Sequence, residues 1–432
     1  MTWRRRVELR VEAGQRGVAA GNMVWDTSHW DTGTWSGLEP NFVPISGAEI
    51  ESLATNRGRE KAYSRMSAGT AELVLVWRDV ADRWGMRSTS PIQLGQEVRV
   101  MARVLGTTHQ RGELGAPETP YFPIYRGTVR SIVDQWNAGT NEFRLICRLI
   151  DRLADLGAVD LPEQPLAGLG DTTDQRLLRI LDLADIDASF ALLDPATVQH
   201  ASSNFARNLL DEAQVTVESD AGSTLYVDRA GLIRLLSAKA WDDATKPRSH
   251  TAQMLWANAA GGTEPVGPTD FGTGADLDDV RNSISAAHSG GVASTYEDTD
   301  SLIKFGKRTN QRFDLTCRYD ADAAAWAQLW LSELSQKTER IDAVAGEIDP
   351  DADTARIADL IDIELLDAQQ IKWRDGIGEL TGLFHVQGVK HKITAKSWRV
   401  TVNLWAYAGH GFQPVAASLW ESAHWQTDVW ST

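Results

Sequence analysis

The 432-residue chain has two cysteines, no run of 18 apolar residues and fewer basic than acidic residues. Each shortage excludes something. Cys147 and Cys317 lack the paired spacing of a metal site, and both fall at apolar positions of an alternating pattern. Each is therefore expected as a small buried hydrophobe rather than a disulfide partner or reactive thiol. Without a long apolar run there is no expected membrane span. The start, Met1 to Arg6, is basic, but Val7, Leu9 and Val11 then alternate with charged residues, which reads as a first strand and not a signal peptide. With 43 basic residues against 59 acidic, a net charge of −16, the chain is a poor sequence-independent binder of DNA phosphates. An acidic surface facing DNA would repel it and let it slide past.

The motifs that carry chemistry are missing as well. There is no Ser or Cys elbow, no HExxH and no paired-carboxylate context, so Asp26, His29 and Asp31 do not make an acid–base set. Asp349, Asp351 and Asp353 alternate, but a calcium loop needs Gly after the third Asp and Glu at its twelfth place, which here hold Thr354 and Leu360. The stretch is expected as a solvated loop before a helix beginning near Thr354. His385 and His391 are too far apart along one strand to chelate without a bend, and no third ligand accompanies them. Gly261-Gly262 and Gly272 to Gly274 lack the GK[ST] of a phosphate loop. No enzyme activity, cofactor or metal is expected.

What is present is strand patterning. Between Thr70 and Leu156, four stretches alternate apolar and polar residues: Gly69–Trp77, Glu97–Val104, Tyr121–Ile132 and Phe143–Leu149. Turn-forming Gly, Pro, Asn and Thr separate them. This predicts a small antiparallel β barrel or sandwich. After Asp155 the pattern changes. Thr172-Thr173 offers a cap for a helix carrying Leu177, Leu178 and Leu181, and Ser202-Ser203 a cap for one carrying Phe205, Leu209 and Ala213. A hairpin follows over residues 224–236, turning at Asp228-Arg229-Ala230-Gly231. Asp320 to Lys337 reads as a helix, and strands are expected at Ile361–Leu366, Leu383–Ile393 and Trp398–Trp405.

The 17 tryptophans are the compositional oddity. Trp25, Trp30 and Trp35 recur at a spacing of five, as do Trp420, Trp425 and Trp430; that period suits neither helix nor strand and predicts irregular loops. There is also an internal echo. Gly127 … Ile132, a loop and Phe143-Arg144 … Leu149 are repeated in form by Gly388 … Ile393, a loop and Trp398-Arg399 … Leu404. This points to two copies of one barrel; the alternative is the likeness any two hairpins share.

Four segments in order resemble the minor tail proteins of phages that infect actinobacteria, a family of tail-tip and baseplate hub proteins. They are Asn56–Glu60 with Met66–Leu75, Tyr121–Gly127, Ser301–Arg308, and Phe384–Ile393 with Ser397–Leu404. The resemblance implies a mainly β fold with an α+β insert: two tube-like antiparallel β barrels separated by a small α+β domain. The expected division is a first barrel over 1–155 with a Trp-rich loop at 22–37, the insert at 156–245, a Gly/Asp-rich connector with a strand at 246–300, a second barrel at 301–408 and a Trp-rich tail at 409–432. It further implies a homotrimeric virion protein of the tail tip, assembled in the host cytoplasm, which closes the distal end of the tail tube. Three chains with two barrels each would match three-fold to six-fold symmetry. Expected partners are the distal tail protein ring, the tape measure protein and other minor tail proteins, with DNA passing through unbound. The six tract tryptophans are read first as docking another tail protein, with packing over the chain's own barrel or stacking on host cell-wall sugar as alternatives. The last of these would make the protein a host-recognition component.

Overall fold

The computed structural model describes residues 2–3, 7–19, 40–45, 47–61, 64–78, 92–104, 121–162, 165–205, 208–237, 254–257, 268–274, 277–336, 340–348, 354–374, 379–406 and 411–414. Most of the chain is antiparallel sheet, with a small α+β insert, as the sequence predicts. Alternation explains the strands. Along Glu97–Val104 every second residue (Val98, Val100, Ala102, Val104) is buried, and along Trp398–Trp405 Trp398, Val400, Val402 and Leu404 are.

Among the described residues, fifteen strands belong to one hydrogen-bonded sheet. Its first half runs through Val7–Ala19, Glu97–Val104, Phe122–Asn137, Glu142–Ile150, Ser67–Arg78 and Glu49–Gly58. Glu49–Gly58 then pairs antiparallel with Glu379–Thr394, Gly58 opposite Gly388 and Ser52 opposite Thr394. That seam leads into the second half: Trp398–Trp405, Arg340–Glu347 and Asp270–Gly274 on one side, Ala368–Arg374 and Met254–Ala257 on the other. Phe271 and Trp373 stack with centroids 4.3 Å apart, so side chains join two strands from opposite ends of this half. In the first half, Pro40–Pro44 pairs with Val7–Ala19, and the Ile45 amide donates to the Val11 carbonyl at 3.0 Å. A cleft of about 450 Å³ remains there between Leu9, Ile50 and Leu75.

The two hairpins of the echo are built alike. Each starts with a 16-residue strand that changes partner part-way. Phe122–Asn137 pairs with Glu97–Val104 up to Thr128 and with Glu142–Ile150 from there on. Glu379–Thr394 pairs with Ala368–Arg374 up to His385 and with Trp398–Trp405 from there on. The glycines sit at these changes because neighbouring chain crowds them. A Cβ on Gly127 would lie 2.6 Å from the Ile150 carbonyl oxygen, and one on Gly388 would collide with the Asn403 side chain.

Two smaller units flank the sheet. The insert packs helices Thr173–Leu183 and Leu209–Glu218 on a three-stranded sheet of Thr224–Val227, Ile233–Leu236 and Ala191–Leu193. Its second helix is capped by Asn208, whose side chain accepts from the Leu210 amide, and not by Ser202 or Ser203; Phe205 lies before the helix at a φ of 47°. The other unit sets Ser283–His288 between Ser294–Glu297 and, in parallel, Thr309–Leu315, with helix Asp320–Leu334 across one face. Ala323, Trp326 and Ala327 of that helix meet Ile284, Ala286 and Leu315. The domain boundary expected at 301 falls inside this unit. Ile361–Leu366 is not a strand: helix Thr354–Ile361 ends there and the chain turns, with Leu366 at a φ of 67°.

Candidate assembly framework and surfaces

Trp25, Trp30, Trp35, Trp420, Trp425 and Trp430 lie outside the described residues, as do Asp26, His29 and Asp31, Gly261-Gly262 and the Asp349–Asp353 stretch. The described polar clusters do something the sequence did not announce: they tie the two sheet halves and the insert together.

The hairpin turn Asp228–Gly231 is where this happens. The turn closes because the Gly231 amide donates to the Asp228 carbonyl and the Leu232 amide to the Asp228 carboxylate; Gly231 takes a φ of 84°. Toward the first half, the Gly231 carbonyl accepts from Arg152 Nη1 at 2.5 Å. Arg152 also bonds Glu97, which accepts Arg126 Nη2 at 2.8 Å on its other oxygen. The Arg152 guanidinium covers the Phe190 ring of the insert at 3.6 Å. Toward the second half, Arg229 bonds Asp362 and the Ile361 carbonyl, and its amide donates to Glu364 Oε2 at 3.0 Å. The other oxygen of Glu364 accepts Arg57 Nη1 at 2.6 Å, from the seam strand. Burial alone would raise the Glu364 pKa; Arg57 and then Arg229 outweigh it and hold this carboxyl below the usual range. One turn tip thus touches both halves of the sheet.

A second cluster locks the strand start at Gly69. The Gly69 amide donates to Asp151 Oδ2 at 2.5 Å, and the Gly69 carbonyl accepts Tyr125 Oη at 2.8 Å. Burial pushes Asp151 up to about 7 against the pull of its two backbone amides and Arg57. A third joins the insert to the 283–334 unit: Asp220, Thr173, His200, Thr316 and Ser219 form a chain of side-chain hydrogen bonds. Burial, then Arg176, lowers His200 to about 3.

His385 and His391 are buried core residues. His391 Nδ1 accepts the Trp398 indole N–H at 3.2 Å, and burial followed by Arg57 and Arg229 lowers it to about 3, so it is neutral. Cys147 and Cys317 are buried free thiols, each raised to about 12 by burial. Among the described residues, no group of three or more His, Cys, Asp or Glu is placed to hold a metal. A cleft of about 590 Å³ follows the seam, lined by Arg59, Lys61, Asn403 and their neighbours. Arg59 there bonds Gln387 and the Ser64 carbonyl, and Lys61 pairs with Asp279, so these cations serve the fold.

No family model matches the chain, and no curated protein sequence matches it. Solved structures do match. The tail protein from Neisseria meningitidis MC58 aligns over 93% of this chain and 96% of its own, with a TM-score of 0.54 at 11% identity. The 43 kDa tail protein of prophage MuSo2 from Shewanella oneidensis aligns over 92% and 97%, with a TM-score of 0.51 at 11% identity. This is the fold of phage tail proteins. In this tail-protein fold the turn at Asp228–Gly231, the Asp151 lock and the His200 chain are internal ties, each shared between segments distant in sequence. Arg229 carries a signal that sequence reading could have used: an Arg at a turn tip, in a chain whose later half holds Asp362 and Glu364 amid apolar residues.

Proposed function

We propose that the protein is a structural, non-enzymatic component of a phage tail tip, a hub that closes the distal end of the tail tube. The observation that carries this reading is the end-to-end likeness to tail proteins, which covers nearly the whole of both chains rather than one domain. The continuous sheet across the Glu49–Gly58 and Glu379–Thr394 seam supports it, because a hub must hold its two halves at fixed positions. Three chains, each giving two similar hairpin-built barrels, would meet a six-fold distal tail ring and surround the tape measure and the DNA path. The four segments that resemble actinobacteriophage minor tail proteins support an actinobacterial host group. Electron cryomicroscopy of intact virions is the test: three copies at the distal end are expected, and absence from the virion or a six-fold ring of this chain would overturn the hub.

The two five-spaced tryptophan tracts, read first as docking another tail protein, leave host cell-wall recognition as the alternative. Changing Trp25, Trp30 and Trp35 to Ala separates the two. Loss of virion assembly supports docking to another tail protein, whereas loss of glycan binding with assembly intact supports recognition.

A further inference from the structure

A cavity of about 190 Å³ lies where the insert, the 283–334 unit and the connector before strand Ser67–Arg78 meet. Each supplies part of its wall. From helix Asp320–Leu334 come Trp326 and Trp330, one turn apart, with ring centroids 6.2 Å apart and planes tilted by 56°. Trp326 is buried and Trp330 half-buried. Strand Thr309–Leu315 gives Asn310 and Arg312, which alternate with the exposed Thr309, Gln311 and Phe313 and so lie on its other face. The insert gives Glu218, where helix Leu209–Glu218 ends, and Thr224, where strand Thr224–Val227 begins. Arg65 comes from the connector.

The charged groups of the wall are spent on one another. Glu218 Oε1 accepts Arg65 Nε at 2.8 Å, and Oε2 accepts Arg65 Nη2 at 3.1 Å and also Arg312 Nη2. Arg65 Nη1 turns to Asp211 and Arg312 Nε to Asp314. Arg59, also in the wall, bonds Gln387 and the Ser64 carbonyl. An anion entering here would have to displace Glu218 from two arginines, and a cation would have to draw Glu218 away from both. Two neutral groups differ. The Asn310 amide and the Thr224 hydroxyl face the cavity and meet no hydrogen-bond partner among the described residues.

Size, charge and chemistry together select the ligand. The volume is below the roughly 300–1,000 Å³ that takes a drug-sized molecule, and suits one ring-sized unit. The neutralised wall selects against ions. An indole beside an amide and a hydroxyl suits a ring with an apolar face and a polar edge. A pyranose has both: C–H groups on its face and hydroxyls that each donate and accept at its edge, where an Asn amide also does both. We propose that this cavity binds one neutral monosaccharide unit, Trp330 packing on the sugar face while Asn310 and Thr224 bond its hydroxyls. The bonded Arg65–Glu218–Arg312 set keeps the surrounding wall in place. The inference goes beyond the hub reading and uses none of the tryptophans at 25–35 or 420–430.

The test uses the purified full chain and saturation-transfer difference NMR with glucose, galactose, mannose, rhamnose, arabinose and N-acetylglucosamine, each titrated to tens of millimolar. Saturation of the ring protons of at least one sugar is expected, with inorganic phosphate unable to displace it. Trp330→Ala should weaken that binding roughly tenfold or more. Asn310→Ala and Thr224→Val, which each remove a side chain's hydrogen-bonding groups and leave the aromatic wall intact, should each weaken it several-fold, and circular dichroism should show them folded. Changing Trp25, Trp30 and Trp35 to Ala should leave it unaltered. Binding of none of the six sugars, binding that ignores Asn310→Ala and Thr224→Val, or displacement by phosphate overturns the site. The hub reading fails separately, on absence of the protein from the virion.

Discussion

Asp151 is a carboxylic acid placed to titrate near neutrality. Its ordinary value of 3.8 is raised to about 7 because the fold takes it out of water to hold the Gly69 and Leu153 amides. A raised acid favours the folded state below its unfolded value, and that contribution is lost as pH rises toward 7. His200 and His391 act oppositely. Lowered from 6.5 to about 3, they favour the folded state above 6.5 and withdraw that support as pH falls through 3. Wild type and Asp151→Asn should therefore diverge between pH 4 and pH 7, with the variant lacking a loss on the order of a few kcal/mol. Chemical denaturation at stepped pH reads this, and parallel curves would overturn it. Cys147 and Cys317 make a plainer prediction. With both thiols buried and raised to about 12, neither should react with a thiol reagent at pH 8 until the chain unfolds. Fast labelling of the native protein would contradict their placement.

At the scale of elements, the turn Asp228–Gly231 couples parts that the sequence keeps far apart. Arg57→Ala would leave Glu364 buried with one cation fewer, which costs about 3–5 kcal/mol for a buried pair. Glu364→Gln should recover part of this in the Arg57→Ala background, because it removes the stranded charge. Non-additive denaturation midpoints in that double-mutant cycle are the expected outcome, and strict additivity would show that the pair does not couple. These same residues explain what was legible beforehand. The alternating strands, the helix over Asp320–Leu334 and the start of a helix at Thr354 follow from local period and capping, and were readable. Ile361–Leu366 was misread because Ile361, Ile363 and Leu365 alternate with Asp362 and Glu364, the period of a half-exposed strand. In the structure all of them are buried, the carboxylates facing Arg229 and Arg57 instead of water. The 283–334 unit escaped for another reason. Its parallel pairing of Ser283–His288 with Thr309–Leu315 spans helix Thr299–Phe305, and no local pattern encodes which strands cross over. The ties at Arg152, Arg229 and His200 join segments dozens to hundreds of residues apart, so composition and spacing could not assemble them.

In the whole molecule, one hydrophobic core runs through both halves of the sheet. Leu73, Leu75 and Val98 belong to it with Phe384, Trp398 and Val400, while the insert and the 283–334 unit keep cores of their own. A shared core and a backbone-paired seam leave no hinge between the halves, so they should open together as one cooperative unit. Amide hydrogen exchange distinguishes this from two hinged barrels. Residues 53–57 and 389–393 on the two sides of the seam should exchange at the slow rate of Leu73 and Val402, whereas the edge strands Asp270–Gly274 and Ser294–Glu297 should exchange sooner. Gly388→Ala should speed exchange on both sides of the seam at once, because a Cβ there collides with Asn403, whose amide nitrogen holds the Arg59 carbonyl at 2.8 Å. Seam amides that exchange early in the wild type, with each half retaining its own slow core, would mean that the halves move independently. Three chains so hinged could not hold six barrel positions against a six-fold ring, and the symmetry-matching part of the proposed function would fall with the seam.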